Sequence, residues 1–254
     1  MVWWHFCIII VVSYFIGNIS FSRMIARKNN KDITKLGSGN TGSTNVLRNI
    51  GFKWGFINLC LDILKGFVPA IVFYYVFGEN LIYLYTAGIS VIIGHIYPVI
   101  YKFKGGKGIA SMLGVFLASD PIVTLIVIFC AGVAWLLFKY GSVASFICVT
   151  LLTVIEGVKA KNLQSPQNWI ICLMLFAIFC LTWYAHRSNI QRLLCGKEGK
   201  VSLTKSIKKQ IEQRKKMTAP VVQKSQVVLD DQPQKGENNQ PLQSEITKQD
   251  NKKE

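Results

Sequence analysis

The chain is short of acid. Against 29 Lys and Arg it carries only 13 Asp and Glu and three His, for a formal charge of +16. Chemistry that relies on paired carboxylates, as in glycoside hydrolysis, or on clustered carboxylates around a divalent cation, has little to build on. The other usual catalytic signatures are missing too. No H-E-x-x-H or G-x-S-x-G occurs. Ile10, Ile100 and Gln191 stand five residues after His5, His95 and His186, so the H-x-x-x-x-D pattern of acyl-CoA-dependent acyltransferases is absent as well. None of the seven Cys forms a C-x-x-C pair and six lie inside apolar runs, which excludes a zinc ribbon and a disulfide framework. No metal and no cofactor is expected.

What the chain has is apolar length. Hydrophobic residues make up 51% of it, the pattern of a polytopic membrane protein. The cations sit in loops and in the tail and form no continuous basic face, so membrane orientation explains the charge and nucleic acid does not. The first apolar run, Val2 to Ser22, has no cation before it and no small-residue cleavage site. It is followed by Arg23, Arg27, Lys28, Lys31 and Lys35, which places the N-terminus outside and the next loop in the cytosol. Further spans are expected over 53–77, from the turn at Gly78 to Asn80 as far as Tyr101, and over 122–138, 142–158 and 169–184, with 159–168 as an outer loop. The run from Ile109 to Ala118 is too short to cross a standard bilayer unless tilted or extended. The expected architecture is all-α, a polytopic membrane helix bundle of about seven transmembrane helices, N-terminus out and C-terminus in. It occupies 1–198. Residues 199–254, rich in Lys, Gln and Asn and almost without aromatics, are expected to form a disordered basic cytosolic tail, its start at 201–211 suited to lying on anionic lipid.

On this count three polar stretches share the cytosolic side. The first, GSGNTGSTNVLRNIG from Gly37 to Gly51, nominally contains G-x-G-x-x-G, but no apolar β-run precedes it and a dinucleotide fold is excluded. Its Ser38, Gly39, Asn40, Gly42, Thr44 and Asn45, with Arg48 following, offer neutral donors and one guanidinium to the oxygens of a phosphate or polyol. The second is GHIYPVIYKFKGGKGIAS, Gly94 to Ser111. Gly105, Gly106 and Gly108 are free to take positive φ and turn backbone N–H groups to an anion, beside Lys104 and Lys107. It is not a P-loop, since Tyr101 and Gly108 occupy the positions where that pattern needs Gly and Ser or Thr. The same residues would equally serve as a basic interfacial turn between two helices. In the third stretch, HRSNIQRLLCGKE, His186, Asn189 and Arg192 recur on one helical face. Asp62 and Lys65, three apart and deep in the second span, either hold helices together or touch substrate. For His95, just before Pro98, a structural hydrogen-bonding role is expected.

Taken together the three stretches resemble the bacterial acyl-phosphate:glycerol-3-phosphate acyltransferase family over about the first 198 residues. SGNTGSTN with Arg48 corresponds to the first motif, GHIYP with FKGGKG to the second, and HRSNIQRL with Gly196 and Glu198 to the third. Asp62, Lys65, Gly66 and Pro69 fit its second span and Ser142 with Ser145 a serine pair on its sixth. Ser43, Ile100 and Ser111 depart from the usual Ala, aromatic and Thr. The resemblance implies transfer of a fatty acyl group from acyl phosphate to the 1-hydroxyl of glycerol 3-phosphate, at a cytosol-facing site in the bacterial inner membrane. It also implies a functional link to a soluble enzyme that makes acyl phosphate. Ser38, Gly39, Asn40, Thr44 and Lys104 to Gly108 would then surround phosphates, Arg48 would hold one of them, and Asn189 and His186 would orient the attacking hydroxyl. Either His186 or a substrate phosphate oxygen would take the proton. The other function class compatible with basic loops among apolar spans is a transporter or channel for a phosphorylated solute.

Overall fold

The computed structural model describes residues 2–163, 166–200 and 211, and every regular element among them is helical. Apart from Gly199, Lys200 and Ile211, the expected tail and its amphipathic start lie outside the described residues. In chain order the helices are α1 (Trp3–Asn18), α2 (Phe21–Lys28), α3 (Ser43–Asn49), α4 (Phe52–Val76), α5 (Leu81–Ile96), α6 (Ile109–Ser119), α7 (Pro121–Phe138), α8 (Gly141–Lys161), α9 (Asn168–Ala185) and α10 (Arg187–Leu194), with single 3-10 turns at Ile33–Lys35 and Val99–Tyr101. Six stretches among the described residues are long and apolar enough to cross a bilayer: Trp3–Lys28, Phe52–Val76, Leu81–Tyr101, Pro121–Phe138, Gly141–Lys161 and Asn168–Ala185. The seventh crossing expected from the sequence has only α6, whose 11 residues rise about 16 Å, roughly half the hydrocarbon thickness.

Two boundaries differ from expectation for identifiable reasons. The first span is not one helix to Ser22; Ile19 is extended (φ −64°, ψ 116°), so α1 ends at Asn18 and α2 starts afresh at Phe21. The ammonium of Lys65 on α4 enters this break and donates to the carbonyls of Ile19 (2.8 Å) and Gly17 (3.4 Å). It thereby satisfies groups that the interrupted helix leaves without a partner. At the other end of the bundle α8 runs through Lys159 to Lys161. Lys159 stays helical because it reaches Asp120, the N-cap of α7, and Glu156 one turn back at 3.3 Å.

The bundle is assembled around α5, the most deeply buried of the spanning segments. Glycine sets the closest crossings. A Cβ on Gly17 would lie 2.3 Å from the carbonyl oxygen of Val91, and one on Gly94 2.2 Å from that of Tyr14, so α1 and α5 touch backbone to backbone. A Cβ on Gly66 would stand 1.9 Å from the Ser111 carbonyl oxygen and one on Gly114 2.0 Å from that of Ile63, which presses α6 onto α4. In a lipid-embedded bundle such small-residue contacts replace the hydrophobic drive that water would supply. Short α6 is also held at its far end, where Ser119 Oγ meets Tyr85 Oη at 2.8 Å and donates to Glu156 Oε2 at 3.0 Å. Its near end, at Gly108, lies against Ile92 and Ile96 of α5, and there the polar stretches gather.

Candidate active site

The three stretches converge. A cavity of about 180 Å³ is lined by Ser38, Asn40, Gly42, Ser43, Thr44, Asn45 and Arg48 from the first, by Lys107, Gly108, Ile109 and Ala110 from the second, and by His186, Asn189 and Arg192 from the third. Ser142 and Ser145 of α8 complete the wall together with Asp62 of α4 and His95 of α5. A second, more open hollow of about 400 Å³ adjoins it, sharing Ser38, Asn40, Lys107 and Arg192 and adding Gly39, Lys104, Gly105, Gly106 and Arg187. Every residue assigned from the sequence to catalysis or phosphate binding lines one hollow or the other, whereas Lys65, offered as a possible substrate contact, lines neither.

Their roles divide differently from expectation. Gly108 takes positive φ (+83°) as the cap of α6, a conformation that favours glycine, and turns the first-turn amides of α6 toward the cavity. Gly105 and Gly106 do not. Their N–H groups donate to the carbonyls of Ile96 (3.1 Å) and His95 (3.0 Å) and so are unavailable to an anion. Glycine is needed there for space, because a Cβ would lie 2.0 Å from the His95 carbonyl oxygen at position 105 and 2.1 Å from His95 Nε2 at position 106. The His95 ring is packed between Gly106 and Asp62, whose Oδ1 lies 3.7 Å from its Nδ1. Asn45 is also structural: its amide donates to the carbonyls of Ile33, Leu36 and Asn40, while its oxygen accepts from Ser38 N–H and Asn49. It shapes the first loop and has no donor left to offer. Asn189 is committed at both ends, accepting from Lys107 Nζ and donating to Glu198 Oε1 at 2.7 Å.

Glu198 is the residue whose importance the sequence understated. α10 ends in a glycine-dependent turn in which Gly196 (φ +65°) donates to Leu193 and Lys197 to Arg192, so the chain doubles back toward the cavity. The returning carboxylate accepts from Ser142 Oγ (3.0 Å), Asn189 Nδ2 (2.7 Å) and Arg192 Nε (2.8 Å). Burial works to raise its pKa, but those three bonds prevail and hold it below the usual carboxylate range. The next residue also contributes, as the Gly199 carbonyl accepts from Arg48 Nη2 at 2.7 Å. A chain truncated after Lys200 is therefore expected to keep nearly full activity, whereas one ending at Gly196 loses Glu198 and should fall by an order of magnitude or more; activity per inserted molecule checks both.

Electrostatically the cavity is a cationic pocket whose wall carries two carboxyl groups, Glu198 bonded to Arg192 and Asp62 paired with Lys65. Lys107 is brought down to about 8 by burial, and further by the neighbouring Arg192 and Arg48. Burial also lowers Arg48, which remains charged at any physiological pH. His186, buried at the start of α10, is lowered to about 4 by burial and by Lys107, so its ring is neutral near pH 7. Its Nδ1 lies 2.8 Å from the Thr182 carbonyl, an acceptor, which assigns the proton to Nδ1 and leaves Nε2 as an acceptor. Three cations, the amides of a helix start and a neutral imidazole suit a phosphate monoester whose hydroxyl is to be aligned and made to react. Among the described residues no group of His, Cys, Asp and Glu could hold a metal ion.

The chain as a whole is similar to known proteins. Residues 7–196 match the family described as Glycerol-3-phosphate acyltransferase. A glycerol-3-phosphate acyltransferase of Aquifex aeolicus is 38% identical over 193 residues, covering 75% of this chain and 96% of that protein. Glycerol-3-phosphate acyltransferase 2 of Thermotoga maritima is 37% identical over 206 residues, covering 81% and 100%. The fold is similar to the crystal structure of PlsY (YgiH), an integral membrane glycerol 3-phosphate acyltransferase, in its glycerol 3-phosphate form. The TM-score is 0.72 at 35% identity, over 80% of this chain and 98% of that one. The lysophosphatidic acid form of the same enzyme gives a TM-score of 0.70 at the same identity and coverage.

Proposed function

The chain belongs to the glycerol-3-phosphate acyltransferase family, and from that membership we propose that it transfers a fatty acyl group from acyl phosphate to the 1-hydroxyl of sn-glycerol 3-phosphate. The products are lysophosphatidic acid and inorganic phosphate. The observation that carries the reading is the convergence of Arg48, Lys107 and Arg192 on one small cavity beside a neutral His186. Transport of a phosphorylated solute, the other function class left open by the sequence, gives way to family membership.

Both reactants are anions, and the first task of the site is to bring them together. Arg48, Lys107, Arg192 and the first-turn amides of α6 offset their mutual repulsion, and Ser38, Asn40 and Thr44 supply neutral hydrogen bonds. Ser38, Asn40, Lys107 and Arg192 face both hollows, so phosphates held in each come within reach of a shared set of groups. His186 Nε2 accepts from the attacking hydroxyl and fixes its direction. With a pKa of about 4 it is too weak a base to retain the proton. The hydroxyl oxygen bonds to the acyl carbon, the bond from that carbon to the phosphate oxygen breaks, and the hydroxyl proton leaves on a phosphate oxygen of the donor. The donor is already an activated mixed anhydride, so alignment and charge supply most of what the protein must add. Asn189 and Glu198 act through Lys107 and Arg192 by holding those cations in place.

In this reading α6 and the loop before it complete a seventh crossing, with the N-terminus outside and the site facing the cytosol of a bacterial inner membrane. There a soluble enzyme can deliver the donor. Membranes containing the protein, given labelled glycerol 3-phosphate, are expected to form lysophosphatidate with acyl phosphate and none with acyl-CoA. Product from acyl-CoA alone would overturn the choice of donor. The lowered pKa of Lys107 adds a pH signature. The ammonium is the working form and is lost as pH rises, so kcat/KM should fall above an apparent pKa of about 8. In Lys107→Arg the residual kcat/KM should show no such limb.

A further inference from the structure

The turn from Pro98 to Lys104 follows α5 and exposes an apolar tip: Val99 is 45%, Ile100 62% and Phe103 60% exposed. Lys102 and Phe103 both hold positive φ, +53° and +59°, which is unusual for a bulky aromatic. The turn is nevertheless closed on itself. Tyr101 and Phe103 N–H donate to the Pro98 carbonyl at 3.1 and 2.9 Å, Lys102 N–H to Val99 at 3.1 Å and Lys104 N–H to Tyr101 at 3.1 Å. The Val99 N–H meets Tyr14 Oη at 3.2 Å and that of Ile100 meets Asn18 Oδ1 at 3.4 Å, both on α1. Together with Gly105 and Gly106, every backbone donor from 99 to 106 is satisfied within the protein. A loop in water has no need of this, because solvent would serve its donors. A segment outside the α-helices that shows apolar side chains and leaves no N–H free is built for a medium that accepts no hydrogen bonds. Its only charges are cationic, Lys102 and Lys104, and the Arg23 guanidinium, 4.3 Å over the Tyr101 ring, pins the turn to α2.

We propose that this turn is a lipid anchor: Val99, Ile100 and Phe103 enter the acyl region of an anionic leaflet, and Lys102 and Lys104 meet lipid phosphates. The strained backbone at Lys102 and Phe103 is what points the cations and the aromatic ring in their separate directions. Phe103 and Lys104 also line the second hollow, so anchoring sets its mouth at the leaflet boundary. The inference goes beyond the acyl-transfer reading and does not depend on the donor.

The test uses the full chain with photoreactive benzoylphenylalanine at position 100, in nanodiscs of mixed phosphatidylcholine and phosphatidylglycerol, read by adduct mass. Lipid adducts are expected to dominate. Phosphatidylglycerol should be enriched in them over its bulk share by about fivefold, the effect of one lysine near a charged surface. Lys102→Glu should abolish that enrichment. Absence of lipid adducts at 100 overturns the proposal, and so does an adduct ratio equal to bulk that Lys102→Glu leaves unmoved. No acyl transfer enters the readout, so failure here leaves the donor assignment standing, and failure of the donor assay leaves the anchor standing.

Discussion

Lys107→Ala is expected to lower kcat by about 10²- to 10³-fold, the usual effect of removing one preorganised charge-stabilising donor, while the protein still inserts in the membrane. The reason lies in the position of the ammonium. With Arg192 it is one of the two cations that both hollows share, it stands at the head of α6, and its bond to Asn189 links the second stretch to the third. Alanine removes the charge and frees Asn189 Oδ1 together. The measurement is steady-state turnover per molecule of inserted protein, with extraction yield and thermal midpoint as controls for folding. Activity within threefold of the parent would sink the assignment of Lys107 to the reacting phosphates.

The second large effect comes from a residue that touches no substrate. Gly66→Ala adds one methyl group, but its Cβ would sit 1.9 Å from the Ser111 carbonyl oxygen, and both partners are helix backbone. α4 and α6 must separate. Overpacking of this kind costs about 1–3 kcal/mol of stability. The displaced helix is the one whose first turn carries Gly108 and faces the cavity, so activity should fall further than stability alone accounts for. Gly132→Ala and Gly157→Ala are the matched controls, since a Cβ there meets nothing within 4 Å and helix propensity favours alanine. Their thermal midpoints and activities should equal or exceed the parent's. A Gly66→Ala protein with unchanged midpoint and unchanged kcat would refute the close crossing.

How much of this was legible in the sequence depends on whether a residue acts through its neighbours in sequence or across the fold. The spans followed from apolar length, and the convergence of Arg48, Lys107 and His186 followed from counting crossings. Asp62 pairs with Lys65 at 2.9 Å, a contact that the i,i+3 spacing allows. What could not be foreseen was the work done by close approach. Gly105 and Gly106 look like an anion nest because glycine in a loop suggests backbone freedom, yet Gly106 makes room for the His95 ring and Gly105 for the carbonyls of His95 and Ile96. Asn45 looked like a donor to substrate because its other partners, Ile33, Leu36 and Asn40, meet it only once the loop has closed. Glu198 could be placed in a motif, but its return to Ser142, 56 positions earlier, needs the glycine turn after α10 and the packing of α8 together. The signal available was Gly196 itself, two residues before an acid in a segment otherwise rich in cations.

The lysine lodged between α1 and α2 bears on biogenesis. α4 brings its own counter-ion, because Asp62 sits one turn from Lys65 and the pair can enter lipid together. The carbonyls of Gly17 and Ile19 have no such provision: synthesised first, they stay unsatisfied until the ammonium arrives from a segment translated some 46 residues later. The amino-terminal helix is thus made earliest and completed late, and an assembly intermediate lacking α4 would be recognisable by water still bound at that bend.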